Sequence, residues 1–245
     1  RAWRCPASAS SSPWQAEAVP ILALDTSSAV AVAVLSDDAR DVLAAASSAQ
    51  PRRHAELLAP MITATLAEAG VDRRALTAIV AGTGPAPFTG LRVGLVTART
   101  FGLALGVPVW GVPSLDALAA GAVAGAAPGT RVVAVSDARR REVYWAAYEA
   151  APGGLTALAG PDIAAPAELR ASGRLDGALV VGRGALLHAT TLGLAGEPTV
   201  LDPDPADLAR LAVARAAAGQ PLPTEPLYLR RPDAEPHAGA KRVLT

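Results

Sequence analysis

The sequence predicts an α/β protein of two lobes, each built on a mixed β-sheet. Short apolar segments of strand length alternate along the chain with longer segments of helical period. The order strand, aspartate-containing turn, strand occurs near residue 21 and again near residue 131, as expected if one unit were duplicated. Two lobes that each open on an aspartate-bearing hairpin favour the actin-like, sugar-kinase-like architecture, the duplicated ASKHA or ribonuclease H-like fold.

The first half of the chain begins with an apolar run and a valine-rich run, separated by Asp-Thr-Ser-Ser, which predict a β-hairpin. A helix with Gly70 at its C-terminal cap follows, and Pro60 inside it predicts a kink or a late start. The predicted elements of this half are strands at 21–26, 30–35, 42–46, 77–81 and 107–111 and helices at 52–69, 89–105 and 114–124.

The Pro128-Gly129 pair marks the predicted boundary between the lobes. The second half is predicted to contain strands at 131–136, 142–149 and 178–181 and helices at 166–171, 184–191 and 205–218. The resulting domain organisation is a flexible leader (1–20), an N-terminal lobe (21–127), a C-terminal lobe (128–232) and a flexible tail (233–245).

Composition limits the function classes. The 245 residues include 22 Lys or Arg and 22 Asp or Glu, and a chain of zero net charge is not expected to be a dedicated polyanion binder. Residues 1–20 contain no continuous apolar core of a signal peptide, and no apolar stretch is suited to span a bilayer. A single cysteine, Cys5, excludes an internal disulfide and a cysteine metal cluster. We expect a cytoplasmic protein without membrane contact.

Catalytic and metal-binding patterns are missing from the sequence. There is no Gly-x-Ser-x-Gly elbow, and His54, His188 and His237 lie in unrelated contexts. No histidine pair has helical spacing, and the carboxylates form no compact set of ligands. The sequence therefore predicts no catalytic residue and no metal site.

The turns that would grip phosphates in an actin-like fold contain no glycine here. The first turn is 25–28 and the second is 137–141, and side chains in such turns keep backbone N–H groups away from a phosphate. Asp25 could hold a metal-bound water or cap its turn, and the three arginines 139–141 could bind an anion or be solvated. The predicted remnant of a nucleotide site consists of Asp25, Thr26, Gly84 and Asp137.

The helix predicted at 89–105 carries small residues at four-residue intervals: Gly90, Gly94, Ala98 and Gly102. Each interior glycine costs about 1 kcal/mol relative to alanine, so the stripe predicts close approach of another backbone. The spacing alone leaves open whether that backbone is the lobe's own sheet or a neighbouring helix.

Four segments resemble the TsaB (YeaZ) family. They are ILALDTSS at 21–28, RRHAELLAPMI at 52–62, residues 82–119 around the core FTGLR, and EPLYLR at 225–230. In that family the protein is the non-catalytic partner of a catalytic paralogue, TsaD, in bacterial synthesis of the tRNA modification threonylcarbamoyladenosine. The resemblance implies a scaffold subunit that stabilises and activates the transferase acting on adenosine 37.

The paralogue carries two metal-ligating histidines four residues apart, and the resemblance places Ser114 and Leu118 at those positions. Because leucine cannot ligate a metal, the resemblance implies a copy without catalysis and without its own cofactor. The junction with the partner could hold a nucleotide, and the sequence leaves open whether one binds. The alternatives are an active actin-like ATPase or sugar kinase, and a metal-dependent protease, an older description of the wider family.

The resemblance implies that helices 53–69 and 89–105 pack against the matching helices of the TsaD-type paralogue. It also implies a homodimer when the partner is absent, a TsaE-type ATPase in a larger complex, and only indirect contact with tRNA. On this basis Gly94→Leu is expected to abolish partner binding without unfolding the chain. The implied interface residues are His54, Leu57, Leu58, Met61, Leu66, Gly90, Arg92, Gly94, Ala98, Phe101 and Gly102.

Overall fold

A computed structural model describes residues 20–50, 53–152 and 154–230 of the chain. Within these ranges the chain forms two mixed β-sheets with helices packed against them. The predicted flexible leader, apart from Pro20, and the predicted flexible tail lie outside the described residues. In the part of the chain that the structure describes, no helix is both long and apolar enough to cross a membrane.

The first sheet has the strand order β3-β2-β1-β4-β5. Strand β1 pairs antiparallel with β2 and parallel with β4, and every residue of these three strands is buried. Strands buried throughout require layers on both faces of the sheet. The strands are β1 (Ile21–Asp25), β2 (Val30–Leu35), β3 (Val42–Ser48), β4 (Ala78–Gly82) and β5 (Val109–Val112).

The second sheet repeats this plan with the order β8-β7-β6-β9. Its members are β6 (Arg131–Asp137), β7 (Val143–Ala151), β8 (Gly154–Ala164) and β9 (Leu179–Val181). Strands β6 and β7 form an antiparallel hairpin and β9 is parallel to β6, as β1, β2 and β4 are in the first sheet. The predicted duplicated two-lobed fold is therefore confirmed, although β8 was missing from the predicted elements.

Seven α-helices complete the described fold: α1 (His54–Glu68), α2 (Phe88–Leu105), α3 (Ser114–Val123), α4 (Pro166–Ala171), α5 (Arg183–Leu187), α6 (Ala189–Leu192) and α7 (Pro205–Ala217). Helix α1 begins at His54 and continues past Pro60, so the late start expected as one alternative does not occur. The single helix predicted at 184–191 is two short helices, α5 and α6.

Helices α1 and α2 cover one face of the first sheet, with Leu58 and Leu95 in one buried cluster with Leu22 and Leu24. The opposite face of the sheet packs against α7, the last helix within the described residues. Helix α3, from the first half of the chain, packs instead against the second sheet. The boundary after residue 127 stays a prediction, and the core of each sheet includes a helix from the other half.

A partly buried polar contact joins β7, α3 and α7. The Tyr148 hydroxyl on β7 donates to Asp116 on α3 over 2.7 Å, and Arg215 on α7 donates to the other Asp116 oxygen over 2.5 Å. Burial, and the Asp116 carboxylate beside it, raise the pKa of Tyr148 far above its ordinary value. This contact therefore links the second sheet to one helix from each half of the chain, α3 and α7.

Candidate functional site

A cleft of about 470 Å³ lies between the lobes. The first lobe lines it with the β1–β2 turn and the first turn of α2, and the second lobe with the β6–β7 turn and α5. Thr26 and Asp137 of the predicted nucleotide-site remnant line this cleft, whereas Asp25 and Gly84 do not. The polar lining residues are Thr26, Ser27, Ser28, His54, Thr89, Ser136, Asp137, Arg139 and Arg183.

Asp25 is 2% exposed and its two oxygens are bonded within the protein. One oxygen accepts from the Ser27 N–H over 2.7 Å and from the Ser27 hydroxyl over 2.5 Å. The other accepts from the Ser114 hydroxyl over 2.6 Å. Burial raises the pKa of Asp25 despite these three donors. Of the two roles left open by the sequence, the structure supports turn capping over binding of a metal-bound water.

Gly84 also serves the protein's own packing. Its N–H donates to the Ser114 hydroxyl over 3.1 Å, and its carbonyl accepts from the Ser114 N–H over 2.7 Å. The φ angle of Gly84 is +87°, which favours glycine. At Gly82 a Cβ would lie under 3.0 Å from the Asp25 carboxylate. These glycines allow the β4–α2 loop to approach Asp25 and α3. Gly84 lies outside the cleft lining, and its place in a nucleotide-site remnant stays a prediction.

Both arginines that line the cleft are paired with carboxylates. Arg139 donates its backbone N–H to Asp137 over 2.8 Å, and its guanidinium lies 3.2 Å from the same side chain. Arg183 makes a two-pronged contact with Asp202, over 2.6 and 2.7 Å, and the Ser28 hydroxyl donates to the same carboxylate. A phosphate entering the cleft would compete with these ion pairs for the guanidinium groups.

The side chains that could in principle ligate a metal do not cluster in the described part of the chain. Within 20–50, 53–152 and 154–230, no group of three or more His, Cys, Asp and Glu side chains is placed to hold a metal ion.

The outer face of the α1–α2 pair is the second candidate site. On α2, Val96 is 63% exposed and Leu103 is 87% exposed. These two residues lie on the same side of the helix as Arg92 and Arg99, because successive members are four, three and four residues apart. Leu57, Met61 and Phe101 are partly buried against the lobe's core. The result is a helix face on which two apolar side chains, Val96 and Leu103, are open to solvent beside two arginines.

The glycine stripe of α2 faces the other way, into its own lobe. A Cβ at Gly94 would lie under 3.0 Å from the Thr26 hydroxyl, and one at Gly102 would lie as close to Val109. At Gly90 a Cβ would lie 2.9 Å from the Thr26 carbonyl oxygen. The close approach predicted by the stripe is therefore to strands β1 and β5 and to the first turn.

Five residues of the expected interface are buried in this core, so their assignment to a partner surface is wrong: Leu58, Leu66, Gly94, Ala98 and Gly102. The variant Gly94→Leu would disturb the lobe itself, against the expectation of an intact fold. His54, Leu57, Met61, Gly90 and Phe101 are partly exposed and Arg92 is exposed, and their contact with a partner stays a prediction.

Val96 and Leu103 are not among the interface residues expected from the sequence. The signal was present, because a small-residue stripe that packs inward leaves the side of the helix at 92, 96, 99 and 103 outside. Without knowledge of which way the stripe faced, that side of α2 could not be identified.

Comparisons with known proteins agree with this geometry. The sequence model of the family described as "TsaD: tRNA N6-adenosine threonylcarbamoyltransferase" matches residues 42–182. An uncharacterised protein of Mycobacterium tuberculosis is 41% identical over 219 residues, which is 89% of this chain and 95% of that protein. The tRNA threonylcarbamoyladenosine biosynthesis protein TsaB of Escherichia coli is 37% identical over 131 residues, 53% of this chain and 54% of that protein.

A solved structure of YeaZ from Pseudomonas aeruginosa is 32% identical in sequence, with a TM-score of 0.68 over 86% of this chain and 99% of that one. Two sheets of matching strand order with a cleft between them define a two-lobed, actin-like α/β protein. The chain belongs to the family that the TsaD sequence model describes and, within it, to the TsaB (YeaZ) family.

Proposed function

We propose that this chain is a non-catalytic subunit of the machinery that makes threonylcarbamoyladenosine at position 37 of tRNA, and that it stabilises and activates a TsaD-type catalytic paralogue. Family membership supports the pathway, since the relatives from Escherichia coli, Bacillus subtilis and Haemophilus influenzae are named TsaB, a tRNA threonylcarbamoyladenosine biosynthesis protein. The exposure of Val96 and Leu103 on one side of α2 is the observation that carries the proposed role as a partner subunit.

The two positions that correspond to the paralogue's histidine ligands support a non-catalytic role. Ser114 is buried and hydrogen-bonded to Asp25, and Leu118 is buried in the core of the second sheet. Neither side chain is available as a metal ligand, and a leucine has no donor atom. Arg139 and Arg183 are paired with carboxylates, which argues against phosphate transfer in the cleft.

The partner surface consists of the outer faces of α1 and α2. An isolated exposed leucine is ordinary, but Leu103 and Val96 share one exposed side of α2. Leu57, Met61 and Phe101 of the same helix pair are partly exposed. An apolar patch on a helix pair is typical of a surface that another chain covers. A TsaD-type paralogue, built on the same fold, could place a matching helix pair against it, and a second copy of this chain would do so when the partner is absent.

The remaining expectations extend this proposal. A TsaE-type ATPase would join the larger complex, tRNA would be held mainly by the partners, and the chain would act in the cytoplasm. We expect no cofactor held by this chain alone. The place proposed for a nucleotide is the junction with the partner.

Co-expression with the paralogue from the same organism tests the proposal. Size-exclusion chromatography with light scattering should show a complex that contains both chains, and the complex should have transferase activity that the paralogue alone lacks. Separate elution of the two chains would contradict the proposal. Titration of the isolated chain with ATP tests the ATPase or sugar-kinase alternative, and casein cleavage that a chelator blocks tests the protease alternative.

A further inference from the structure

The segment 222–230, here called the strap, returns from the end of α7 to the first lobe and then reaches the second. The Gly111 N–H on β5 donates to the Leu222 carbonyl over 3.0 Å, so the strap pairs with the outer strand of the first sheet. The Leu227 N–H donates to the Thr83 carbonyl over 2.9 Å. Arg230, at the end of the strap, forms an ion pair with Glu142 beside the β6–β7 turn.

Side chains of α2 hold the middle of the strap. The Arg99 guanidinium donates to the Thr224 carbonyl over 2.7 Å and to the Thr224 hydroxyl over 3.0 Å. Arg92 donates to the Tyr228 hydroxyl over 3.0 Å. Phe88, the first residue of α2, stacks on Tyr228 with ring centroids 4.1 Å apart and planes 2° from parallel. The guanidinium of Arg92 lies 4.3 Å from the centre of the Phe88 ring.

The strap packs so closely against strand β5 at Gly111 that no side chain fits between them. A Cβ at this position would lie under 3.0 Å from the Pro223 carbonyl oxygen, a distance that real Cβ atoms do not show. Any other residue at position 111 would therefore require the strap or Thr83 to shift. Gly111 is buried beneath the strap.

The strap borders the proposed partner surface. Arg92 and Arg99, which it binds, share one side of α2 with Val96 and Leu103, and Tyr228 is 37% exposed. Planar guanidinium groups held by two acceptors, or by an acceptor and a ring, have few orientations left. The strap therefore fixes the orientations of the Arg92 and Arg99 side chains on this face of α2.

We propose that the strap is a positioning element of the partner surface: it holds α2 from Phe88 to Arg99 in the orientation that the partner's helices require. This inference rests on the proposed function, since it assumes that the α1–α2 face binds a TsaD-type chain. It adds a third element, far away in sequence, to that surface.

Two variants release the strap in different ways. Gly111→Ala places a methyl group where the strap backbone lies, at a buried position that cannot touch a partner. Tyr228→Ala removes the aromatic stack with Phe88. Gly196→Ala is the matched control, because Gly196 lies in a loop with nothing within 4 Å of an added Cβ and without a positive φ. Binding to the paralogue is measured by calorimetry, and amide hydrogen exchange along α2 is measured in the isolated chain.

Both strap variants should weaken binding at least tenfold and speed amide exchange in residues 88–100, whereas Gly196→Ala should match the wild type within twofold. If Gly111→Ala is unfolded by circular dichroism, Tyr228→Ala decides the question. Wild-type affinity and wild-type exchange in a folded strap variant would overturn the inference. If the wild type does not bind the paralogue, the proposed function fails, and unchanged exchange along α2 would then overturn the positioning role separately.

Discussion

Replacing Leu103 on α2 tests the partner surface with little risk to the fold. The side chain is 87% exposed, so Leu103→Ala should change the free energy of unfolding of the isolated chain by less than about 0.5 kcal/mol. Full burial of a leucine is worth about 1.5–3 kcal/mol. With 87% of that surface still available for burial, contact with a partner contributes about 1.3–2.6 kcal/mol, which corresponds to about a 10- to 70-fold change in the dissociation constant.

The assay is calorimetric titration of the TsaD-type paralogue with wild type, Leu103→Ala and Leu103→Asp. The aspartate variant should lose more affinity than the alanine variant, because it would place an unpaired charge in the interface. Leu158→Ala is the matched control, since Leu158 is a 47% exposed leucine on β8 of the other lobe. If Leu103→Asp binds as tightly as the wild type, α2 does not contact the partner through this face.

The remaining predictions concern the core and its buried carboxylates. Gly94→Leu should lower the free energy of unfolding by at least about 1–3 kcal/mol in urea titrations, because its side chain would overlap Thr26; wild-type stability would contradict the inward-facing stripe. Burial raises the folded-state pKa of Asp25 above its ordinary value of 3.8, so its contribution to stability is fully present below that value and is lost as pH rises through the raised pKa. The unfolding free energy of the wild type minus that of Asp25→Asn should therefore shrink from pH 4 towards neutral, and a difference that grows with pH would refute this assignment. Tyr148→Phe should cost about 1–2 kcal/mol in thermal or urea unfolding, since it removes the hydroxyl that donates to Asp116; an unchanged unfolding free energy would count against this contact.

The hairpins and most helices could be predicted from the sequence because their signals are local. The valine-rich run at 30–35 coincides with β2, and the helix predicted at 89–105 matches α2 to within one residue at each end. Strand β8 was missed because Gly154–Ala164 contains small residues, exposed positions and the pair Gly160-Pro161, which is typical of a turn. Its pairing with β7 comes from the tertiary structure.

The direction of the glycine stripe could not be derived from spacing. Periodicity shows that Gly90, Gly94 and Gly102 share a side of α2, but it does not show which surface meets that side. The resemblance suggested a partner, whereas the structure places Thr26 and Val109 there. Of the outward face, Arg92 alone was among the implied interface residues, whereas Val96, Arg99 and Leu103 were not.

Contacts between distant parts of the chain were also beyond the sequence. Arg92 and Tyr228 are 136 positions apart, and Arg99 and Thr224 are 125 apart. The motif EPLYLR at 225–230 was recognised, but its place against α2 follows only from the packed structure. The same holds for Asp25, whose pairing with Ser114 spans 89 positions.

We propose that this chain supports tRNA threonylcarbamoylation through its α2 face and without chemistry of its own. Mass spectrometry of tRNA nucleosides from cells depleted of the chain tests it most directly. Threonylcarbamoyladenosine should fall on depletion, return with the wild-type chain, and stay low with Leu103→Asp expressed at the same level. An unchanged level of the modified nucleoside in depleted cells would contradict the account.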